Sequence, residues 1–223
     1  MTRTDSRGRT LAPIGPVVRV QVQRDPLKRR EGEAVRYDPT PLVVVAALDL
    51  TSTGAVGRDD DATATATATI MDVHNAKHPA SRYRGENGVS IGFTSHYARM
   101  RDRFGPHLTD GIAAESILVE TDAVLPLDNV SAGFVIVTRS GEQIALDAVE
   151  VAEPCAPFSC FCLRLPPDRP ADTSVTEALR FLRGGTRGFY ATLALDHTDG
   201  NGDNDTAVTV RPGDTLYRVV VSA

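Results

Sequence analysis

The sequence predicts a mainly β protein, built as a closed or nearly closed antiparallel barrel with two or three short helices. About eight to ten segments show the alternation or the β-branched apolar runs that are typical of strands. Only two segments have a convincing helical period, and strands and helices do not alternate as they do in β-α-β proteins. Closure into a barrel removes exposed strand edges, and 223 residues suit one such domain.

The predicted strands follow one another along most of the chain. They cover residues 17–23, 41–50, 89–93, 115–121, 133–138, 143–151, 161–165, 189–195, 206–210 and 215–221. In the first of them Val18, Val20 and Val22 alternate with polar residues, which predicts a half-buried strand. The acidic, Thr/Ala-rich segment 57–69 has little apolar surface to bury, so it is predicted as an exposed loop or a weak edge strand.

Two helices are predicted from periodicity and end signals. The first begins near Ser95 as its cap, places Tyr97, Met100 and Phe104 on one face, and ends at Gly105. The second covers TSVTEALRFL from residue 173, with a capping box of Ser174 and Glu177 and two glycines at its end. The arginines at 99, 101 and 103 are predicted on the solvent face of the first helix.

Composition disfavours several classes of partner. Tryptophan is absent, aromatic residues make up 5% of the chain and the formal net charge is −5, all of which disfavours nucleic-acid binding. No apolar run approaches the roughly 20 residues that span a bilayer, and the first residues lack the apolar core of a signal peptide. We therefore expect no membrane partner and a cytoplasmic protein whose thiols stay reduced.

The first thirty residues contain eight Lys/Arg and two Asp, so the start of the chain is basic. Such an arm can contact an anionic partner, although a solvated tail is the more common outcome. We expect residues 1–12 to form a disordered basic tail and residues 13–223 to form one barrel domain.

All three cysteines of the chain lie in the stretch EPCAPFSCFC at residues 153–162. Their C-x4-C-x-C spacing is not a standard zinc pattern, and an odd number argues against a disulfide framework. The residues alone leave two interpretations open, namely one reactive thiol with two packing neighbours, or buried core throughout.

Other candidate sites are weaker. His74 and His78 lie four apart, but Asn75 and Pro79 argue against a helix, so a pocket wall or a plain loop is favoured over a metal pair. Residues 199–205 have the oxygen-rich spacing of a calcium loop but lack its glycine and its final glutamate, which favours a solvated hairpin loop. No nucleophile elbow, dinucleotide fingerprint or P-loop is present.

Three arginines lie in loops beside glycines, a setting that suits the binding of an anion. They are Arg82, Arg84 and Arg187. Ordinary solvated loop arginines remain an equally good interpretation of the same residues.

Four short motifs, taken in order, resemble the MOSC domain. They are A-E-S-I at 114–117, E-P-C at 153–155, T-R-G-F-Y at 186–190 and R-P-G-D at 211–214. The MOSC domain is the C-terminal domain of molybdenum-cofactor sulfurases and also occurs as a stand-alone protein. The resemblance covers residues 14–221. In the family's G-E-N-I-like stretch this chain keeps Glu115 but has Ser116 in place of asparagine.

The resemblance implies a MOSC-like β-barrel that binds the molybdenum cofactor (molybdopterin) or a small-molecule substrate. Cys155 is implied as the catalytic residue, either ligating molybdenum or carrying sulfur as a persulfide. The implied cofactor-binding residues are Arg82, Arg84, Glu115, Arg187, His74 and His78. Cys160 and Cys162 match no family requirement and are expected to pack on one strand face as small hydrophobic residues.

The resemblance also implies partners. No desulfurase domain, the pyridoxal-phosphate-dependent part of the sulfurases, precedes the barrel, so sulfur would come from a separate cysteine desulfurase. Reduction of N-hydroxylated compounds, the other implied activity, would need an electron-transfer protein. Two alternatives stay open: a non-catalytic carrier or interaction module on the same barrel, and an unrelated barrel in which Cys155 is structural.

Overall fold

The computed structural model describes residues 3–59, 68–82, 88–166, 172–194 and 207–221. Within these ranges the strands are β1 Arg3–Thr4, β2 Thr10–Gln23, β3 Lys28–Glu31, β4 Ala34–Tyr37, β5 Leu42–Val45, β6 Ala47–Thr51, β7 Gly54–Asp59, β8 Ala68–Met71, β9 Val89–Phe93, β10 Ile117–Val119, β11 Phe134–Val137, β12 Gln143–Val151, β13 Phe189–Leu193, β14 Val208–Val210 and β15 Thr215–Val220. The helices are α1 Thr94–Phe104, α2 Ala156–Cys162 and α3 Thr173–Leu182, with a short 3-10 helix at Leu127–Asn129.

Seven strands close into a mixed barrel, in the order β2, β10, β9, β13, β12, β11 and β15, with β15 pairing back onto β2. The predicted mainly β barrel with two or three short helices is confirmed, and the described residues contain three α-helices. The purely antiparallel arrangement is wrong at one place, because β9 and β10 run parallel. Helix α1 lies between them in the chain and makes the crossover connection that a parallel pair requires.

Two apolar clusters stabilise this arrangement. Val20, Ile91 and Phe134 belong to the larger one, which fills the barrel. The second lies between the barrel and its helices, and contains Tyr97 of α1 and Phe158 of α2. Fully buried aromatic side chains contribute most of the apolar area in such clusters, which fixes the helices against the barrel wall.

Strand β2 is buried on both faces over its last four residues. Val20 and Val22 point into the barrel as predicted, but Gln21 is also buried and donates from Nε2 to the carbonyl of Gly111 at 2.7 Å. Val18, predicted to share the valine face, is 40% exposed because the register between β2 and β10 shifts next to it.

The start of the chain is structured, so the predicted disordered tail is wrong for the described residues 3–12. Arg3–Thr4 and Thr10–Leu11 pair in β1 and β2. Asp5 accepts hydrogen bonds from the backbone N–H and Nε of Arg9 at 2.7 and 2.6 Å. Arg7 pairs with Asp147 at 2.8 Å, which ties the basic segment to β12.

Both predicted helices form, but their caps differ. Ser95 does not cap α1; its hydroxyl donates to the carbonyl of Ala123 at 2.7 Å. Helix α3 is capped by Asp172, whose carboxylate accepts from the N–H groups of Ser174 and Val175, so Ser174 lies inside the helix rather than at its cap.

The cysteine stretch forms a helix, which corrects the predicted strand at 161–165. Cys155 is the N-cap of α2, and Pro157 lies in the first turn, where its missing N–H costs nothing. Phe158 and Cys162, one turn apart, are fully buried, whereas Cys160 is partly exposed. Cys160 and Cys162 therefore do not share a packing face.

A hairpin of β3 and β4 precedes β5 and was not predicted. The two strands pair from Lys28 with Tyr37 to Glu31 with Ala34. The hairpin covers α2 through Tyr37, whose ring lies 5.0 Å from that of Phe158. A separate four-stranded sheet contains β14, β6, β7 and β8. The described residues of the segment 57–69, predicted as an exposed loop or a weak edge strand, belong to β7 and to the edge strand β8. Residues 60–67 lie outside the described ranges.

A buried histidine joins α1 to the segment after β10. His96 is 2% exposed, and its Nε2 accepts a hydrogen bond from the N–H of Leu125 at 3.2 Å. Burial, helped by the positive charge of Arg99, lowers the pKa of His96 from 6.5 to about 4.

This histidine predicts a loss of stability in acid. Between pH 6.5 and 4 His96 is protonated in the unfolded chain but not in the folded protein. Its contribution to the free energy of unfolding is therefore complete above pH 6.5 and is lost as the pH falls. We expect the wild type to lose about 2–3 kcal/mol relative to His96→Gln between pH 7.5 and 4.5. Urea denaturation at the two pH values measures this difference, with His78→Gln as the matched control. A constant difference would contradict the assignment.

No helix among the described residues is long and apolar enough to cross a bilayer.

Candidate functional site

A small cavity of about 40 Å³ lies beside β9, β10 and β13. It brings together three of the predicted site residues, Glu115, His74 and Arg187, which come from distant parts of the sequence. Its wall also contains the polar side chains of Gln23, Ser90 and Tyr190.

Glu115 is a buried carboxyl group two residues before β10. It is 3% exposed, and the hydroxyl of Tyr97 donates to its Oε2 at 2.5 Å. The same hydroxyl accepts the N–H of Ala113 at 2.9 Å, so Tyr97 is held on both sides. Burial raises the pKa of Glu115 to about 7, although the Tyr97 hydrogen bond and the Arg187 charge act in the opposite direction. The carboxyl group therefore changes its charge near neutral pH.

Two glycines make the space for this carboxyl group. A Cβ at Gly92 would lie 2.7 Å from Cδ of Glu115, and a Cβ at Gly188 would lie 2.5 Å from the carbonyl oxygen of Ile91. The backbone of Ala114 is left-handed, with φ of 76°, immediately before Glu115. A non-glycine residue in this region is strained, which makes the turn into β10 a fixed feature of the site.

Arg187 ties the T-R-G-F-Y motif to the cysteine stretch. Its Nη1 donates to the carbonyl of Glu153 at 2.9 Å, and its guanidinium lies over the ring of Phe158 at 5.3 Å. Nη2 donates to the carbonyl of Ala113 at 3.4 Å. The Nε atom is buried and has no hydrogen-bond partner within the described ranges. Arg187 therefore binds both segments that flank the cavity.

The groups around Arg187 keep it charged. Burial alone would lower its pKa, but interactions with Tyr190, Tyr37, Cys155 and Glu115 outweigh burial and raise the pKa above the usual value. The guanidinium is thus a fixed positive charge that interacts with a thiol and a carboxyl group.

Cys155 lies between β12 and α2 and is partly buried against the second apolar cluster. It is not among the residues that line the cavity, but the charge of Arg187 acts on it, and Arg187 is bonded to the carbonyl two residues before it. No disulfide joins the three cysteines. Burial raises the pKa of Cys162 to about 12, so that thiol stays protonated.

His74 is oriented by Asp72. Its Nδ1 donates to the Asp72 carboxylate at 2.8 Å, and the other carboxylate oxygen accepts the N–H of Gln23 at 2.7 Å. Because Nδ1 carries the proton, Nε2 of neutral His74 is the acceptor nitrogen. The ring lies 6.5 Å from that of Tyr190, across one wall of the cavity.

Two other predicted residues that the structure describes, His78 and Arg82, do not line this cavity. His78 donates from Nε2 to the carbonyl of Arg24 and accepts the N–H of Ala80 at Nδ1, which are contacts of a loop. Arg82 is exposed and does not line the cavity. Arg84 and the segment 199–205, predicted as a solvated hairpin loop, lie outside the described residues.

The cavity beside Glu115 does not fit the implied molybdenum cofactor. The cavity of about 40 Å³ is far below the roughly 300 Å³ at which small-molecule pockets begin. No group of three or more His, Cys, Asp or Glu side chains in the described ranges is placed to hold a metal ion. Both terminal nitrogens of Arg187 are bonded to backbone carbonyls instead of facing a ligand.

Sequence reasoning missed several residues of the site. Tyr97 was predicted only as a core residue of α1, and Tyr37, Ser90 and Gln23 were not singled out. Ser90 and Ser116 hydrogen-bond to each other at 3.0 Å, so the serine that replaces the family's asparagine has a buried polar partner. The one available signal was a tyrosine on the buried face of a helix, because buried tyrosines usually find an acceptor.

Comparisons with known proteins identify the fold. No protein-family model and no curated protein matches the sequence. The YuaD protein of Bacillus subtilis, a MOSC-domain protein, superposes with a TM-score of 0.53 and 12% identity over 95% of this chain and 100% of its own. A hypothetical protein matches with a TM-score of 0.51 and 12% identity over 95% of this chain and 71% of its own. YiiM from Geobacillus stearothermophilus gives a TM-score of 0.48 and 15% identity over 92% and 75% of the two chains. The chain therefore has a MOSC-like barrel.

Proposed function

We propose that this MOSC-like protein is a carrier of sulfane sulfur, with Cys155 as the thiol that accepts and returns one sulfur atom. The observation that carries the proposal is the position of Arg187. It joins the cysteine stretch to the Glu115 cavity through hydrogen bonds to the carbonyls of Glu153 and Ala113.

The environment of Cys155 suits this chemistry. The thiolate is the form that attacks sulfur. Arg187 is a fixed cation whose terminal nitrogens are anchored to the backbone, one of them to the carbonyl two residues before Cys155. Cys162, by contrast, is buried and its raised pKa keeps it as an unreactive thiol.

The proposed step is an exchange without net oxidation. The Cys155 thiol loses its proton to water, and the thiolate attacks the terminal sulfur of a donor persulfide, R–S–SH. The S–S bond of the donor breaks and that of Cys155–S–SH forms, while the departing R–S⁻ takes up a proton and leaves as R–SH. The donor class is a protein persulfide such as that of a cysteine desulfurase.

Intact-mass spectrometry of cysteine variants tests the proposal. After incubation with a cysteine desulfurase and cysteine, we expect the wild type and Cys160→Ser to gain one sulfur atom and Cys155→Ser to gain none. Cys160→Ser is the matched control because it removes a partly exposed thiol five residues away. An unchanged adduct on Cys155→Ser would refute sulfur transfer at Cys155. Stoichiometric molybdenum or pterin in protein purified from a cofactor-competent host would instead support the cofactor-binding role.

A further inference from the structure

A cleft of about 490 Å³ lies between strand β4 of the hairpin, helix α2 and the residues that follow α2. The residues that matter for its chemistry are Arg36, Tyr37, His107, Cys160, Phe161 and Arg164. Its volume falls within the range of small-molecule sites, roughly 300–1,000 Å³. It is separate from the cavity beside Glu115, with which it shares no lining residue.

The helix places the two sites on different faces. Pro157, Cys160 and Phe161 recur at helical spacing and line the cleft, while Phe158 and Cys162 face the apolar cluster. A ligand in the cleft would therefore contact α2 without displacing Cys155.

The charge of the cleft is positive. Arg36 and Arg164 line it, and the described residues of its wall include no Asp or Glu. Arg36 is 61% exposed and lies 3.6 Å from Glu31, a surface contact that is worth little and leaves the guanidinium able to bind another anion. Arginine presents a planar fork that matches a carboxylate.

The floor of the cleft is aromatic. The rings of Tyr37 and Phe161 lie 5.2 Å apart, and the ring of His107 lies 5.9 Å from that of Phe161. The Tyr37 hydroxyl donates to the carbonyl of Ile112 at 2.6 Å, and Nε2 of His107 donates to the carbonyl of Cys162 at 3.1 Å. These two polar groups are already hydrogen-bonded within the protein. The arginines at the rim are therefore the groups that can bind the charge of a ligand.

We propose that this cleft binds a small aromatic carboxylate, with its ring on Phe161 and Tyr37 and its carboxylate at Arg36 and Arg164. An aromatic floor and a basic rim match the two halves of such a molecule. The inference does not depend on sulfur transfer at Cys155.

Isothermal titration calorimetry with 2-naphthoate tests the inference on the full chain. We expect saturable one-to-one binding, about tenfold weaker in Arg36→Gln and in Arg164→Gln because each loses a charge-assisted hydrogen bond. Arg30→Gln is the matched control, since it removes the same charge from an exposed position of the same hairpin that does not line the cleft. The neutral analogue 2-naphthylmethanol is expected to bind at least tenfold more weakly.

A second readout uses the wild type alone. Cys160 lines the cleft, so bound 2-naphthoate is expected to slow the alkylation of Cys160 by iodoacetamide while alkylation of Cys155 continues. The inference is overturned if 2-naphthoate fails to bind, if both arginine variants bind it as the wild type does, or if Cys160 is not protected at saturation. If Cys155→Ser loses sulfur transfer but still binds 2-naphthoate, the cleft binds its ligand independently of the proposed function.

Discussion

Gly188→Ala is expected to destabilise the protein by about 3–5 kcal/mol. Gly188 has φ of 110°, and a Cβ there would lie 2.5 Å from the carbonyl oxygen of Ile91 and 3.4 Å from Cγ of Glu115. The new methyl group therefore adds backbone strain and also pushes β13 away from β9, the pair that flanks the cavity. Urea denaturation measures the loss in free energy of unfolding.

Gly184→Ala is the matched control for this prediction. Gly184 also has a positive φ, 68°, but nothing lies within 4 Å of the position a Cβ would take. It should lose only about 1 kcal/mol from backbone strain. Equal losses in the two variants would mean that the close approach of Gly188 to Ile91 does not matter.

Glu115→Gln is expected to change the pH dependence of stability by about 3 kcal/mol. Burial raises the pKa of Glu115 from 4.5 to about 7, so the folded protein holds a proton that the unfolded chain releases between these values. The stabilising contribution of the protonated carboxyl is complete below pH 4.5 and is lost as the pH rises through 7. Glutamine cannot ionise, so the variant should gain about 3 kcal/mol relative to the wild type between pH 4.5 and pH 8.

Denaturant unfolding at the two pH values measures this gain, and Glu142→Gln, at an exposed position, is the control. A difference between wild type and Glu115→Gln that stays constant with pH would contradict the assignment. His96 acts in the opposite direction over an overlapping pH range, because its pKa is lowered to about 4. The opposite effects of the two groups on the pH dependence of stability therefore partly cancel in the wild type. Each variant removes one effect, so the pH dependence caused by the other group should become visible.

The barrel could be predicted because its signals are local. Alternating or continuous β-branched runs marked most barrel strands, and the motif around Arg187 lies where the structure places a site residue. Three of the residues implied by the family resemblance, Glu115, His74 and Arg187, line one cavity in the structure, although their convergence could not be predicted from the sequence.

The errors arose where tertiary contacts decide the structure. The stretch FCLRL has the composition of a strand, but the proline at 157 and the burial of Phe158 and Cys162 one turn apart favour a helix. The β3–β4 hairpin has mostly exposed, charged residues and gave no apolar alternation to find, although Gly32 supplies the left-handed turn at its tip.

The contact between Tyr97 and Glu115 could not be predicted, since it depends on how α1 crosses back to form the parallel pair of β9 and β10. The same holds for the two faces of α2. Cys160 and Cys162, predicted to pack on one strand face, lie instead on the wall of a cleft and in the apolar core, while Cys155 is the N-cap of α2.

The most direct test of the central claim is to find which cysteine of the wild-type protein acquires sulfur. After incubation with a cysteine desulfurase and cysteine, tandem mass spectrometry of the peptide that contains all three cysteines locates the added atom. We predict that it lies on Cys155, the thiol on which Arg187 acts. Sulfur on Cys160 or Cys162, or no added sulfur, would contradict the claim that this corner of the barrel is the working site.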